Sequence, residues 1–169
     1  MVKIRPATLD DVPVLAETVN LGFEGYRAFA PRGWDPPPEA IERARIADRL
    51  PLADAWCRIA EAGGAPAGHV AILAARERTA GRAWIPGVAH LWMLFVRRPW
   101  WGSGLAQRLH GMAIDEAAAC GYAAMRLDTP AGHARARAFY EREGWATDGV
   151  AVLEPMLGLE LVAYRRTVP

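Results

Sequence analysis

Residues 88–106 read Val-Ala-His-Leu-Trp-Met-Leu-Phe-Val-Arg-Arg-Pro-Trp-Trp-Gly-Ser-Gly-Leu-Ala, and this stretch decides the fold. Val88 to Val96 is a continuous apolar run of strand length, the pattern of a strand buried on both faces. Arg97 to Gly104 contains Pro99, Gly102 and Gly104, which punctuate a turn. Leu105, Leu109, Met112, Ala113 and Ala117 then recur at helical spacing, and Gly121 ends the pattern as a glycine just past a helix. The first N–H groups of a helix lack intrahelical partners and carry the positive end of its dipole. Glycines ahead of them let an anion approach the backbone. Arg97, Arg98 and Arg108 lie close and no acidic residue sits in the turn, so a pyrophosphate is its natural guest. The turn is not a P-loop, because no Gly-Lys-Ser or Gly-Lys-Thr is present. It is not a dinucleotide fingerprint either: Gly102-x-Gly104-x-x-Gln107 lacks the third glycine and follows the fourth strand rather than the first.

Working outward, Val2 to Arg5 predicts a short strand ended by Pro6. Thr8 can cap a helix whose first turn takes Asp10, Asp11 and Pro13, with Val12, Leu15, Ala16 and Val19 on one stripe and Gly22 and Gly25 breaking it. Phe29 to Pro38 holds Gly33 and four prolines and reads as a loop. Pro38 and Glu39 open a second helix with Ile41, Ala44, Ile46 and Leu50 as its apolar positions. Ala55–Glu61 and Gly68–Ala75 predict two strands with Gly63-Gly64 in the turn between them, and Arg76 to Gly87 reads as a polar loop. Beyond the central helix, Ala123–Thr129 predicts a strand and Pro130–Gly132 a turn. A helix over Ala134–Glu143 ends at Gly144. Trp145–Val150 and Leu159–Arg166 complete a final strand pair. The order β-α-α-β-β-β-α-β-α-β-β describes an α/β mixed sheet with helices on both faces, one domain over residues 1–169.

The 169 residues are 52% hydrophobic and 23% charged, an ordinary globular balance. Lys plus Arg is 20 and Asp plus Glu 19, a net charge of +1, which gives no electrostatic reason to expect nucleic acid or an anionic membrane as partner. The longest strongly apolar run, Leu91–Val96, is far short of the roughly 20 residues a membrane-spanning helix needs, and the N-terminus shows no apolar signal core. Cys57 and Cys120 match neither a disulfide framework nor a zinc spacing. The expectation is a metal-free cytoplasmic protein.

Val96-Arg97-Arg98-Pro99-Trp100-Trp101-Gly102-Ser103-Gly104-Leu105-Ala106 resembles the acetyl-CoA signature of the GNAT superfamily of N-acetyltransferases, Gln/Arg-x-x-Gly-x-Gly/Ala. Gly104 and Ala106 match its last two fixed positions, and Trp101 replaces the leading Gln or Arg. Ala138-Phe139-Tyr140-Glu141-Arg142-Glu143-Gly144-Trp145 resembles the family's Ala-x-x-Leu/Phe-Tyr-x-x-x-Gly-Phe segment. Where the family usually has an Asn seven residues before that Tyr, this chain has His133. The resemblance extends over roughly residues 1 to 166. It implies a central, mostly antiparallel, twisted sheet of about seven strands, and acetyl-CoA as co-substrate. It also implies direct transfer of acetyl to a primary amine of a small molecule or a peptide, with no acyl-enzyme. Similar proteins are often homodimers. A non-catalytic acyl-CoA sensor on the same fold, or a transferase for a longer acyl group, are the rival readings, and release of free CoA separates the first from an enzyme.

The resemblance also assigns roles. Backbone groups of Leu94 and Val96 would bond the pantetheine amides, and Trp101, Gly102, Ser103, Gly104, Leu105 and Ala106 would hold the pyrophosphate, with His133 at the pantetheine. Tyr140 would protonate the departing thiolate, since a phenol of ordinary pKa near 10 stays protonated at neutral pH. His90 stands where a Glu is common and is the candidate base for the acceptor ammonium, with Asp128 and Glu24 as rivals. Trp34, Trp84 and Trp92 fall in segments expected around the acceptor. Arg135 and Arg137 are candidates for the cofactor's phosphates.

Overall fold

A computed structural model describes residues 1–77 and 83–169. Five helices and strands lead to the central strand: β1 (Val2–Pro6), α1 (Val12–Glu24), α2 (Glu39–Arg49), β2 (Trp56–Ala62) and β3 (Ala65–Arg76). The central strand β4 (Trp84–Val96) is followed by α3 (Leu105–Ala119), β5 (Ala124–Pro130), α4 (Ala134–Arg142), β6 (Ala151–Glu154) and β7 (Leu159–Thr167). Among the described residues the strands form one seven-stranded sheet in the order β1-β2-β3-β4-β5-β7-β6. Every neighbouring pair is antiparallel except β4 with β5, which run parallel through the α3 crossover. Each face buries its own core. Leu109, Ala113 and Ala117 of α3 pack on Val70, Leu91, Met125 and Leu127. On the opposite face Leu15, Val19 and Phe23 of α1 and Ile46 of α2 pack on Ile59, Ala71 and Met93.

Local chemistry fixes where α1 lies. Asp11 accepts the Thr8 backbone N–H at 2.8 Å, and Arg5 grips both its oxygens at 2.8 Å while also reaching Glu61. The start of the helix is thereby tied to β1 and β2. The helix continues through Gly22, which was expected to break it. A Cβ at Gly22 would lie 2.5 Å from the Phe95 ring, so the missing side chain lets α1 sit close over β4.

β4 carries the feature that makes a site. Ala71 of β3 faces Met93, but the next residue, Ile72, faces Leu91, so Trp92 is an extra residue on β4. Leu91 packs on the α3 side, Trp92 and Met93 both pack on the α1 side, and Leu94 returns to the α3 side. The parallel ladder to β5 holds Val88, Ala89 and His90, and its last pair is His90 with Arg126. Beyond it the two strands part. Arg97 donates its N–H to the Ala67 carbonyl at 2.9 Å. Antiparallel alternation from that pair directs the backbone groups of Leu94 and Val96 away from β3, into the gap.

Four expectations need correction. β4 begins at Trp84 within the stretch read as a polar loop, of which residues 78–82 lie outside the described residues. The end of β4 is not enclosed on both faces: Leu94, Phe95 and Val96 are half-buried because they border a cleft. The buried positions of α2 are Glu42 and Ile46, whereas Ile41 and Ala44 are exposed. The strand read at Trp145–Val150 is displaced to β6, with only an isolated bridge from Ala146 to Arg165.

Candidate active site

The parting of β4 and β5 opens a cleft of about 1300 Å³. Its walls are α1, β4, the end of β5, the turn before α3 and the inner face of α4. The turn forms one end. Gly102 and Gly104 have φ of +77° and +81°, the left-handed region open to glycine at low cost. A Cβ at either position would meet nothing within 4 Å, so the backbone stands bare to the cleft. Gly104 caps α3, whose first turn presents the N–H groups of Ala106 and Gln107 to the same space. The Ser103 hydroxyl works inside the turn instead: it donates to the Trp100 carbonyl at 2.7 Å and accepts from the Leu105 N–H at 3.3 Å. Bare glycines, a helix N-terminus, and Arg98, Arg135 and Arg142 in the wall suit a pyrophosphate.

Trp101 bridges this end. Its indole N–H donates to the Val96 carbonyl at 2.7 Å, and its ring lies under the Arg135 guanidinium at 3.9 Å. The Val96 carbonyl is therefore engaged, while the outward backbone groups of Leu94 remain for a ligand in the gap. Arg137 does not face the cleft. It bonds the Tyr164 hydroxyl and the Ala131 carbonyl and ties α4 to the sheet. His133 does line the cleft. Its Nδ1 accepts the Ala136 N–H at 3.4 Å, capping α4, and its ring packs on Tyr26 and Phe29. Burial, with Arg135 nearby, lowers its pKa and keeps it neutral.

Tyr140 sits on α4 in the cleft wall, half-buried between Phe139, Trp145 and Tyr164. Its hydroxyl has no protein partner among the described residues, and burial raises its pKa, so it is a protonated donor with a free hydrogen. Of the three candidate bases, Asp128 lines the cleft at the end of β5. His90 is not among the lining residues, and its Nε2 is 3.9 Å from Asp128 Oδ2. Glu24 is at the rim in an exposed ion pair with Arg27. Trp92 is in the wall, while Trp34 is behind it, donating to the Leu157 carbonyl. Trp84 is half-exposed under Arg76, away from the cleft.

Two cleft residues escaped the sequence reading. Tyr26 is buried beside Tyr140 and Glu42, and its pKa is raised by burial first and by those neighbours next. Glu42 is 6% exposed and accepts from Arg45 at 2.6 Å. The available signal was its place four residues before Ile46, a carboxylate on the buried face of α2.

The family model for the acetyltransferase (GNAT) family matches residues 21–145. The chain belongs to that family. It is an acetyltransferase on the GNAT fold, with the seven-stranded sheet expected from the signature. Solved structures share the fold at low identity. PaiA N-acetyltransferase from Thermoplasma acidophilum, in complex with coenzyme A, has 15% identity and a TM-score of 0.73, with 99% of each chain covered. YncA from Salmonella typhimurium, solved with acetyl-CoA, has 18% identity and a TM-score of 0.70, covering 100% of this chain and 95% of that one. The ribosomal-protein-alanine N-acetyltransferase of Brucella melitensis has 20% identity and a TM-score of 0.71, covering 98% and 99%. No curated protein sequence matches the chain. Among the described residues no cluster of His, Cys, Asp or Glu is arranged for a metal, and no helix is long and apolar enough to cross a membrane.

Proposed function

We propose that the chain acts as a single domain that transfers the acetyl group of acetyl-CoA directly to a primary amine of a small molecule or peptide. The observation that carries this reading is the one cleft joining the bare glycine turn, the gap beside Leu94, and Tyr140 and Asp128. The pyrophosphate rests on the N–H groups from Gly102 to Ala106, and the pantetheine runs in the gap between β4 and β5, past His133. The amine nitrogen attacks the thioester carbonyl, the C–N bond forms, and collapse of the adduct breaks the C–S bond. Tyr140 supplies a proton to the departing sulfur. The amine proton passes to the Asp128 carboxylate, with His90 behind it to share the charge. Positioning two reactants in one cleft supplies much of the acceleration. Two free cysteines, Cys57 and Cys120, suit a reducing compartment such as the cytoplasm. The test is an amine library offered with acetyl-CoA, reading thiol release. CoA binding without thiol release from any amine overturns the reading.

A further inference from the structure

A buried side-chain pair connects α3 to the chain beyond α4 and packs against Tyr140. His110 of α3 is 2% exposed and Trp145 is 3% exposed. The Trp145 indole Nε1–H donates to His110 Nε2 at 2.8 Å. That bond fixes the tautomer: the imidazole is neutral, with its proton on Nδ1, facing Glu143 Oε2 at 3.8 Å. Burial lowers the pKa of His110 to about 4, with Arg166 of β7 acting in the same direction and Glu143 opposing both. Glu143 is held in turn by Gln107 of α3 at 2.9 Å. Trp145 has two connections to Tyr140. Its backbone N–H donates to the Tyr140 carbonyl at 3.0 Å, and its ring meets the Tyr140 ring edge to face at 6.0 Å. His110 also packs edge to face on Phe139, the residue before Tyr140. Among the described residues the Tyr140 hydroxyl has no partner, so the direction of the phenol is set by the rings around it.

We infer that His110 is a positioning residue for acetyl transfer: by accepting the Trp145 N–H it locks the indole that aims the Tyr140 hydroxyl into the cleft. The same histidine sits six residues after Gly104, on the helix whose first turn forms the pyrophosphate end. One helix therefore registers both ends of the acetyl donor, the phosphates at its N-terminus and the thiolate's proton source through His110. Packing alone does not require this pair, since two apolar side chains would fill the volume without a buried donor and acceptor that must match. The inference rests on the reading of Tyr140 as the proton donor.

The test is a double-mutant cycle on His110→Leu and Tyr140→Phe, followed by thiol release with any amine the library identifies. His110→Leu strands the Trp145 N–H, and turnover falls about tenfold while KM for acetyl-CoA changes less than twofold. In the Tyr140→Phe background the same substitution changes turnover less than twofold, because no hydroxyl is left to aim. His110→Gln, whose amide oxygen can accept, recovers most of the lost turnover. Trp145→Phe keeps an aromatic ring beside Tyr140 and removes the donor, so it repeats the His110→Leu loss without a change at His110 and serves if that variant fails to fold. Equal losses from His110→Leu in both backgrounds, or no rescue by Gln, overturn the positioning role. Wild-type turnover in Tyr140→Phe alone overturns the proton-donor reading instead, a separate corner of the cycle.

Discussion

Gly104 offers the sharpest test of the pyrophosphate end, because fold and binding separate there. Its φ of +81° costs an L-residue about 1–2 kcal/mol, whereas Asn and Asp tolerate this region better than most. A Cβ at this position meets nothing within 4 Å, so no packing penalty adds to the backbone one. Gly104→Asn and Gly104→Asp are nearly the same size, so comparing them isolates charge. A carboxylate about 4 Å from a phosphate oxygen costs roughly 4 kcal/mol at an effective dielectric of 20. The half-open turn and the nearby Arg98 and Arg135 screen that to about half, and 2 kcal/mol is roughly a 30-fold loss of affinity. The asparagine variant, which only crowds the approach, should lose about threefold. Calorimetric titration with CoA, at one ionic strength and again with added salt, measures both. The Asp–Asn difference should shrink as salt rises. CoA affinity equal to wild type in a folded Gly104→Asp protein refutes the placement of the phosphates on this turn.

Other outcomes follow from the rest of the cleft. Tyr140→Phe should lower turnover about 10²–10⁴-fold, the usual range for general acid catalysis, and leave CoA affinity unchanged in titration. Asp128→Asn should lower turnover more than His90→Gln, since only Asp128 reaches the cleft; the reverse order in steady-state kinetics would make His90 the direct base. Acid should unfold the protein early. Burial lowers His69 to about 3 and His110 to about 4, both below the ordinary value near 6.5. The unfolded chain then binds two protons that the folded one refuses. Stability is complete above about pH 6.5 and falls on acidification toward pH 4, by roughly 2.7 kcal/mol per pH unit where both sites count. Denaturant melts at pH 7, 6 and 5 measure that slope, and equal midpoints at all three would show that neither histidine is excluded from protonation.

The strand–turn–helix at residues 88–121 was legible because its signals are local. An apolar run, glycines at a strained turn and a 3.6-residue period all lie within one stretch of chain. The proposed phosphate end rests on the same local signals, since a helix N-terminus suits anions wherever the helix sits. What the sequence could not display depends on partners distant in the chain. Glu42 reads as an ordinary helix-surface glutamate until α1 covers it, and of the apolar positions expected on α2 Ile46 is buried whereas Ile41 is exposed. Trp145 reads as the start of a strand, but its indole is needed by His110, 35 residues earlier, and the strand is delayed to Ala151.

The same distinction explains why the cleft exists. Alternation along β4 gives no warning of a bulge, because Leu91, Trp92, Met93 and Leu94 are all apolar and satisfy either face. The register changes only because Ile72 pairs with Leu91 and Ala71 with Met93, which places Trp92 and Met93 together on the α1 side. A regular β4 would send Met93 to the α3 side and Leu94 to the α1 side, the reverse of where each packs. The extra residue changes the direction of the strand at the point where pairing with β5 ends, and so leaves the backbone of Leu94 without a strand partner on that side. Unpaired backbone groups inside a fold are costly unless something bonds them. In this protein the gap that exposes them is lined by Asp128, His133 and Tyr140, so the groups released by the bulge face the same volume as the candidate proton donor and acceptor. The bulge thus turns a strand expected to be wholly core into the floor of the proposed acetyl-transfer site, and a sequence of uniform hydrophobicity conceals that change.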